Sequence, residues 1–256
     1  MIYATGDTHG IFTRFSTAAF PEQKAMTKDD YMIICGDFGG IWRQKPDSEE
    51  CYWLDWLNDK NFTLLWVDGN HENFGRLNSD EFEIVDFGGA KAQRIRDSVY
   101  RLLRGQVYTL NGKQFFTFGG AASHDIEDGI LDPADFADPR LFEARYRRWR
   151  SQGLRFRVRG VSWWPEELPD EEEMRAGVAA LEDADLRVDC VISHCLPQDV
   201  VPLLGCPCEP DRLTLYFNDL LARGLRFDDW YCGHYHADCR LMGRFHVLYE
   251  RIERLE

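Results

Sequence analysis

The sequence predicts an α/β protein with a parallel sheet at its centre, and two observations carry that prediction. First, short apolar runs recur along the chain, among them Ile2-Tyr3-Ala4-Thr5, Tyr31-Met32-Ile33-Ile34-Cys35, Phe62 to Val67, Val188 to Ser193 and Trp230-Tyr231-Cys232. A strand that is covered on both faces needs this kind of run. Second, each run stops at a polar turn: Gly6-Asp7-Thr8-His9, Gly36-Asp37, Gly69-Asn70-His71, His194, and Gly233-His234-Tyr235-His236. Ligands of parallel sheets gather at the carboxyl ends of the strands, where these side chains stand.

The elements follow in order. Ile2 to Thr5 is a first strand, and Ile11 to Phe20 has the apolar spacing of a helix. Tyr31 to Cys35 is a second strand, followed by a helix over Asp47 to Leu57 with Tyr52, Trp53, Trp56 and Leu57 on its core side. Phe62 to Val67 is a third. The pattern then changes to closely spaced strands over 99–103, 106–110 and 113–118, joined by Gly105 and by the hairpin signal Asn111-Gly112, which points to antiparallel pairing. Residues 126–169 are irregular and rich in aromatics, as in a loop that covers a site. A helix over 170–184 has acidic residues in its first turn, and a closing hairpin partner spans 240–252. There His246 has the opposite parity to Phe245 and Val247, which predicts exposure.

Length and composition set bounds. The 256 residues form one domain over 1–256, with a lid-like insertion at about 121–169 and no linker. A net charge of -14 argues against long duplex nucleic acid as a partner. No membrane-spanning run and no leader sequence is present, which predicts a cytoplasmic protein. The eight cysteines are too sparse for a disulfide framework, and Cys35, Cys190 and Cys232 read as buried thiols. Cys206-Pro207-Cys208 has tighter spacing than a zinc-ligand pair and lacks a partner pair. Eight arginines between Arg140 and Arg159 read as a solvated helix followed by a strand, with an anion-recognition flap as the sharper alternative. The lone His124 reads as a surface or hydrogen-bonded residue.

The strand-end groups are Asp7, His9, Asp37, Asn70, His71, His194, His234 and His236. Residues i and i+2 of an extended segment point the same way, so Asp7 with His9, and His234 with His236, can each grip one cation. The glycine before Asp37 lets its carboxylate project over the sheet edge, where its two oxygens can serve two cations. Oxygen and imidazole ligands together suit Mn²⁺, iron or Zn²⁺ better than Ca²⁺, and there are too many for one ion.

This ordered set resembles the calcineurin-like metallophosphoesterase superfamily, whose motifs run Asp-x-His, Gly-Asp-x-x-Asp, Gly-Asn-His-Glu/Asp, His and Gly-His-x-His. The resemblance implies a four-layer αββα sandwich of mixed sheets with its metal site at the carboxyl ends of the central strands. It implies two divalent ions, Mn²⁺ first, with iron and Zn²⁺ as alternatives. One would be held by Asp7, His9, Asp37 and His236, the other by Asp37, Asn70, His194 and His234. The implied reaction is hydrolysis of a phosphomonoester or phosphodiester by a water or hydroxide between the ions, with Asp37 bridging them and His71 assisting the leaving oxygen. Gly119-Gly120-Ala121 and Trp163-Trp164 are similar to features of bacterial and phage members. Gly40 and Ile41 depart from the protein-phosphatase branch, where an aspartate and an arginine stand, and leave open which group orients His71. The Arg140 to Arg159 stretch is a candidate source of the missing arginine. Two other readings stay open: a non-catalytic protein-interaction scaffold on the same fold, and a nuclease for small or single-stranded nucleic acid.

Overall fold

The computed structural model describes residues 1–205 and 209–255, so Cys206 and Cys208 lie outside the described residues. The first three apolar runs form β1 (Ile2–Thr5), β2 (Tyr31–Ile34) and β3 (Thr63–Trp66), paired in parallel in that order. Side chains alternate between two cores along each strand. Tyr3, Met32, Ile34, Leu64 and Trp66 face an outer core, whereas Ile2, Ala4, Ile33, Cys35, Leu65 and Val67 face an inner one. Both parities are buried, which is why the runs are apolar throughout rather than alternating.

A hairpin that the sequence reading missed, β4 (Glu83–Phe87) and β5 (Ala90–Arg96), turns at Gly88-Gly89 and pairs antiparallel with β6 (Val99–Leu102). Its charged, partly exposed strands hide its apolar pattern, although Gly-Gly is itself a hairpin signal. The chain then crosses to a second sheet. β7 (Gln106–Leu110) and β8 (Lys113–Phe118) form the expected Asn111-Gly112 hairpin, but β6 and β7 belong to different sheets rather than to one antiparallel set. The segment after β8 contributes a two-residue parallel pair, β9 (Ile130–Leu131) with β10 (Arg157–Val158). The second sheet is completed by β11 (Cys190–Ser193), β12 (Asp229–Cys232), β13 (Cys239–Leu241) and β14 (Phe245–Val247), while β15 (Ile252–Leu255) returns to pair with β1. The closing stretch therefore forms the expected hairpin, β13 with β14, at the edge of the second sheet and then returns to the first sheet as β15.

Strand orders are β15-β1-β2-β3-β6-β5-β4 and β13-β14-β12-β11-β8-β7. Both sheets are mixed, parallel at the centre and antiparallel at the edges. Their inner faces share a core that includes Leu65, Val67, Tyr108, Phe115 and Ile192. On the outside of the first sheet lies α1 (Ser48–Asn58), N-capped by Asp47, and a short α2 (Phe74–Leu77) follows β3. Between β9 and β10 lies α3 (Pro139–Ser151), none of whose residues is buried. On the outside of the second sheet lie α4 (Glu171–Asp183) and α5 (Arg212–Ala222), each opened by a capping box from Asp170 or Asp211. This is the expected αββα sandwich.

Four local expectations need correction. Ile11 to Phe20 is not a helix: it forms a 3-10 turn over Thr13–Phe15, with a second over Pro21–Ala25. The spacing of Phe12 and Phe15 suits a three-residue turn as well as a helical one, and Pro21 ends any continuation. Tyr52 is exposed rather than on the core side of α1, while Trp53 and Trp56 are half-buried against the core and Leu57 is buried in it beside Leu54. The sequence reading also did not identify α5, whose core face is Leu213, Phe217 and Leu220. His246 is buried, because its parity faces the other sheet rather than water. It packs against Tyr231, and its ring nitrogens lie 2.8 Å from Asp229 Oδ1 and 2.5 Å from Glu253 Oε1. Cys35, Cys190 and Cys232 are buried free thiols as expected.

Candidate metal centre

All eight strand-end residues come to one edge of the sandwich, Asp7, His9, Asp37, Asn70 and His71 from the first sheet and His194, His234 and His236 from the second. The turns after β1 and β2 interlock, since Thr8 and His9 both donate their backbone N–H to Asp37 O at 3.1 and 2.8 Å. Arg14 holds the first turn from behind, donating to Thr5 Oγ1 and to Asp7 O at 2.9 Å each. Gly36 sits at φ 95° against the His194 ring, and Gly69 lies so close to Asp37 that a Cβ on either would overlap its neighbour. His9, Asp37, His234 and His236 all have positive φ, at 46, 49, 69 and 47°. Such a backbone costs on the order of 1–3 kcal/mol per residue and is held only where the surroundings enforce it, as they do at binding sites.

The side chains converge in overlapping groups. Asp7, His9 and His236 form one: Nε2 of His236 lies 3.1 Å from Asp7 Oδ2 and 3.2 Å from His9 Nε2, which is itself 3.8 Å from Asp7 Oδ2. Asp37 joins two others, with His9 and His71 and with Asp7 and His194. Its Oδ2 is 3.8 Å from His9 Nδ1 and 4.0 Å from His71 Nε2, while its Oδ1 is 3.4 Å from His194 Nε2 and accepts the His71 backbone N–H at 2.8 Å. His234 enters by ring packing on His194, with centroids 4.9 Å apart, and its backbone N–H donates to Asp7 Oδ1 at 2.9 Å. His124 is exposed but lies over the His234 ring, with centroids 4.3 Å apart.

Two imidazole nitrogens and a carboxylate oxygen aimed at one point are a poor arrangement for an empty space and a good one for a cation. The buried Asn70 Oδ1 and His194 Nε2 make no well-directed hydrogen bond, although buried polar atoms are nearly always satisfied. His194 donates Nδ1–H to Cys35 O at 2.7 Å, which fixes the tautomer and turns the Nε2 lone pair toward Asp37. The donor set therefore fits divalent cations held by oxygen and nitrogen. Electrostatics agree. Burial opposes a charge on Asp37, but the His194, His71 and His9 imidazoles outweigh it and hold its carboxyl well below the ordinary range. Burial likewise opposes protonation of His194, yet Asp37 and Asp7 raise it to about 9. Burial lowers His9 and His234, and pushes His71 down to about 4 with Arg157 and His9 adding to it against Asp37.

Several residues of this edge were not singled out from sequence. Asn70 Nδ2 donates to Ser123 Oγ at 3.3 Å, and Ser123 Oγ donates to Glu167 Oε2 at 2.7 Å; this fixes the amide so that Oδ1 remains as the candidate ligand atom. Trp163 Nε1 donates to Glu167 Oε1 at 2.6 Å. Buried Glu72 accepts the Phe38 N–H at 2.8 Å; its burial, with Asp37 and Asp68 nearby, keeps that carboxyl well above the usual range. Arg157 reaches His71 from β10, donating from Nη2 to Nε2 at 2.8 Å. Beside His9 and His71 opens a cleft of about 300 Å³, with Trp42 and Trp53 on its walls. The Gly119-Gly120 strand exit was the sequence signal nearest to Ser123.

Fold and site together define an α/β sandwich with a candidate metal centre, in which buried carboxylates and a mixture of buried and accessible histidines meet at the carboxyl ends of parallel strands. The chain belongs to the calcineurin-like phosphoesterase family, whose sequence model matches residues 1–238. No curated protein matches the chain. Membership implies metal-dependent hydrolysis of a phosphoester. No helix among the described residues is long and apolar enough to cross a membrane.

Proposed function

We propose that this chain hydrolyses a phosphomonoester or phosphodiester across two divalent cations. The observation that carries the reading is the division of the Asp37 carboxylate, whose Oδ1 faces His194 while its Oδ2 faces His9. One carboxylate thus serves both halves of the cluster. Asp7, His9, Asp37 and His236 would hold one ion, and Asp37, Asn70, His194 and His234 the other. Two cations there supply a more acidic water and neutralise charge on the phosphoryl oxygens. Mn²⁺ is our first choice, then iron or Zn²⁺.

The chain's own residues do the rest. Glu167 and Ser123 hold Asn70 in one rotamer, and Cys35 O holds His194 in one tautomer. His71, beside Asp37 and at the mouth of the aromatic cleft, is placed to protonate a leaving oxygen or to stabilise the charge that develops in the transition state. We read residues 121–169 as a cover over this edge, and the chain as a bacterial or phage-type member of the family. A complete ligand set favours an enzyme over a scaffold.

The test compares p-nitrophenyl phosphate with bis-p-nitrophenyl phosphate, with and without Mn²⁺, in the purified protein, Asp37→Asn and His71→Ala. Metal-dependent turnover should be lost in Asp37→Asn together with a metal, and should fall roughly 10²–10⁴-fold in His71→Ala. Turnover that needs no metal, or that survives both changes, refutes the reading.

A further inference from the structure

We infer that Arg157 is the phosphoryl-binding cation of this site, carried in by the insertion and held ready by Asp125. The inference rests on the metallophosphoesterase reading. Arg157 is only 5% exposed, and a buried guanidinium normally spends its N–H groups on carboxylates and carbonyls. Part of it does so: Nε lies 2.7 Å from Asp125 Oδ1, Nη2 donates to Asp125 Oδ2 at 3.0 Å, and Nη1 donates to Ser162 O at 3.0 Å. These contacts fix the plane and direction of the fork. The remaining Nη2 contact is the unusual one, because it is made to the imidazole of His71, at 2.8 Å from Nε2 and 3.3 Å from Nδ1.

An imidazole nitrogen is a weaker acceptor for a guanidinium than an anionic phosphoryl oxygen. The His71 Nε2 that receives this N–H lies 4.0 Å from Asp37 Oδ2, so Nη2 stands at the edge of the metal centre. A phosphoryl group over that centre can take the Nη2 N–H from His71, while Asp125 and Ser162 keep the guanidinium in place. Arg157 is then a substrate-binding residue and Asp125 a positioning residue.

The other nearby cations are engaged elsewhere. Arg43 is exposed and paired with Asp47 and Glu49 at 2.6 and 2.7 Å. Arg14 touches Asp7 only through a backbone carbonyl. Gly40 and Ile41, directly after the Asp37 turn, offer no charge. Of the arginines in the dense stretch, Arg155 and Arg159 form exposed pairs with Glu127 and Asp132. Among the described residues, Arg157 is the one lysine or arginine whose hydrogen bonds reach the side chain of any of the eight clustered residues Asp7, His9, Asp37, Asn70, His71, His194, His234 and His236.

The experiment titrates inorganic phosphate into Mn²⁺-loaded protein by calorimetry, with metal content measured on the same samples. The variants are Arg157→Ala, Arg157→Lys, Asp125→Asn and, as a control on the exposed face of α3, Arg150→Ala. Arg157→Ala should weaken phosphate binding by about tenfold or more, as expected for one charge-assisted hydrogen bond. Arg157→Lys, which keeps the charge but loses the fork, and Asp125→Asn, which frees the guanidinium, should lose part of that. Arg150→Ala should match the wild type, and all variants should keep their metal. With a turned-over ester, KM should rise more than kcat falls. Undiminished phosphate affinity in both metal-replete Arg157 variants overturns the assignment, even if kcat drops. Metal-loaded wild type that binds no phosphate overturns it too. A wild type that takes up no divalent metal overturns the function proposed above, and this assignment with it.

Discussion

Removing the Asp68 carboxylate should destabilise the whole sandwich. Asp68 is fully buried and meets two guanidiniums, with Arg101 Nε at 2.5 Å and Nη2 at 3.1 Å, and Arg104 Nε at 3.2 Å. Arg101 belongs to the first sheet, whereas Arg104 stands where the chain crosses to the second and also binds Glu173 of α4 at 3.1 Å. Breaking a buried pair by deleting one partner costs about 3–5 kcal/mol, because the other charge stays buried without compensation. Here Arg104 keeps Glu173 and the Glu166 carbonyl, and Arg101 keeps Gln93 Oε1 at 3.1 Å. The lower end, about 3 kcal/mol, is therefore expected for Asp68→Ala. For a chain of this size that lowers Tm by roughly 6–12 °C. Thermal and urea unfolding of the metal-free protein measure it, and an Asp68→Leu, Arg101→Met double variant should recover part of the loss. The pH sign is fixed as well. Burial raises Asp68, but Arg101 and Arg104 outweigh it, so its folded carboxyl lies below the ordinary 3.8. The pair's contribution is complete above 3.8 and fades as pH falls through the depressed folded value. A Tm within 2 °C of wild type (about 0.5–1 kcal/mol by the same scaling), with the same acid limb, would refute the argument.

Two further outcomes follow from the same geometry. Chelation should destabilise the native protein: at a free ion concentration of about 100 Kd, bound metal contributes about 2.7 kcal/mol, or roughly 5–10 °C in Tm, and a Tm unmoved by chelator and by added Mn²⁺ counts against the metal centre. Glu167 should give stability a falling slope with pH. Burial pushes its carboxyl from 4.5 up to about 7 against the hydrogen bonds from Ser123 and Trp163, so the folded state binds the extra proton. Stability is then greatest below 4.5 and drops by up to about 3 kcal/mol as pH rises through 7. Urea midpoints between pH 5 and 8 for wild type against Glu167→Gln test this, and identical slopes would sink it.

Strand ends were legible in the sequence because the chemistry of a cation site restricts them: a buried strand must be apolar, and its last turn must supply oxygen or imidazole. What was not legible follows from degeneracy. Val99 to Leu103 and Gln106 to Leu110 carry the same kind of pattern, and nothing local says that the chain changes sheets at Arg104-Gly105. His246 was misread because alternation separates two faces without saying whether the second meets water or another sheet. Arg155, Arg157 and Arg159 share one parity, yet Arg157 alone of the three is buried, since Asp125 and His71 lie beneath it. The departure at Gly40 announced a missing partner for His71. Only the fold could supply Arg157, more than a hundred positions further along.

The same division of labour links the site to the stability of the fold. Carboxylates come from the first sheet, and three histidines come from the second. His194 reaches across to Cys35 O and Asp37, and the His234 backbone reaches Asp7. A cation bound by Asp7, His9 and His236, or by Asp37 and His194, therefore ties one sheet to the other at the edge where the strands end. Opposite this edge, the buried His246 makes a second tie, between Asp229 of the second sheet and Glu253 of the first. The sandwich is thus clamped by permanent polar contacts at one place and by an exchangeable ion at another. The metal-free protein should therefore open first at the catalytic edge, with the amides following β2 and β11 losing hydrogen-exchange protection before those of β14 and β15.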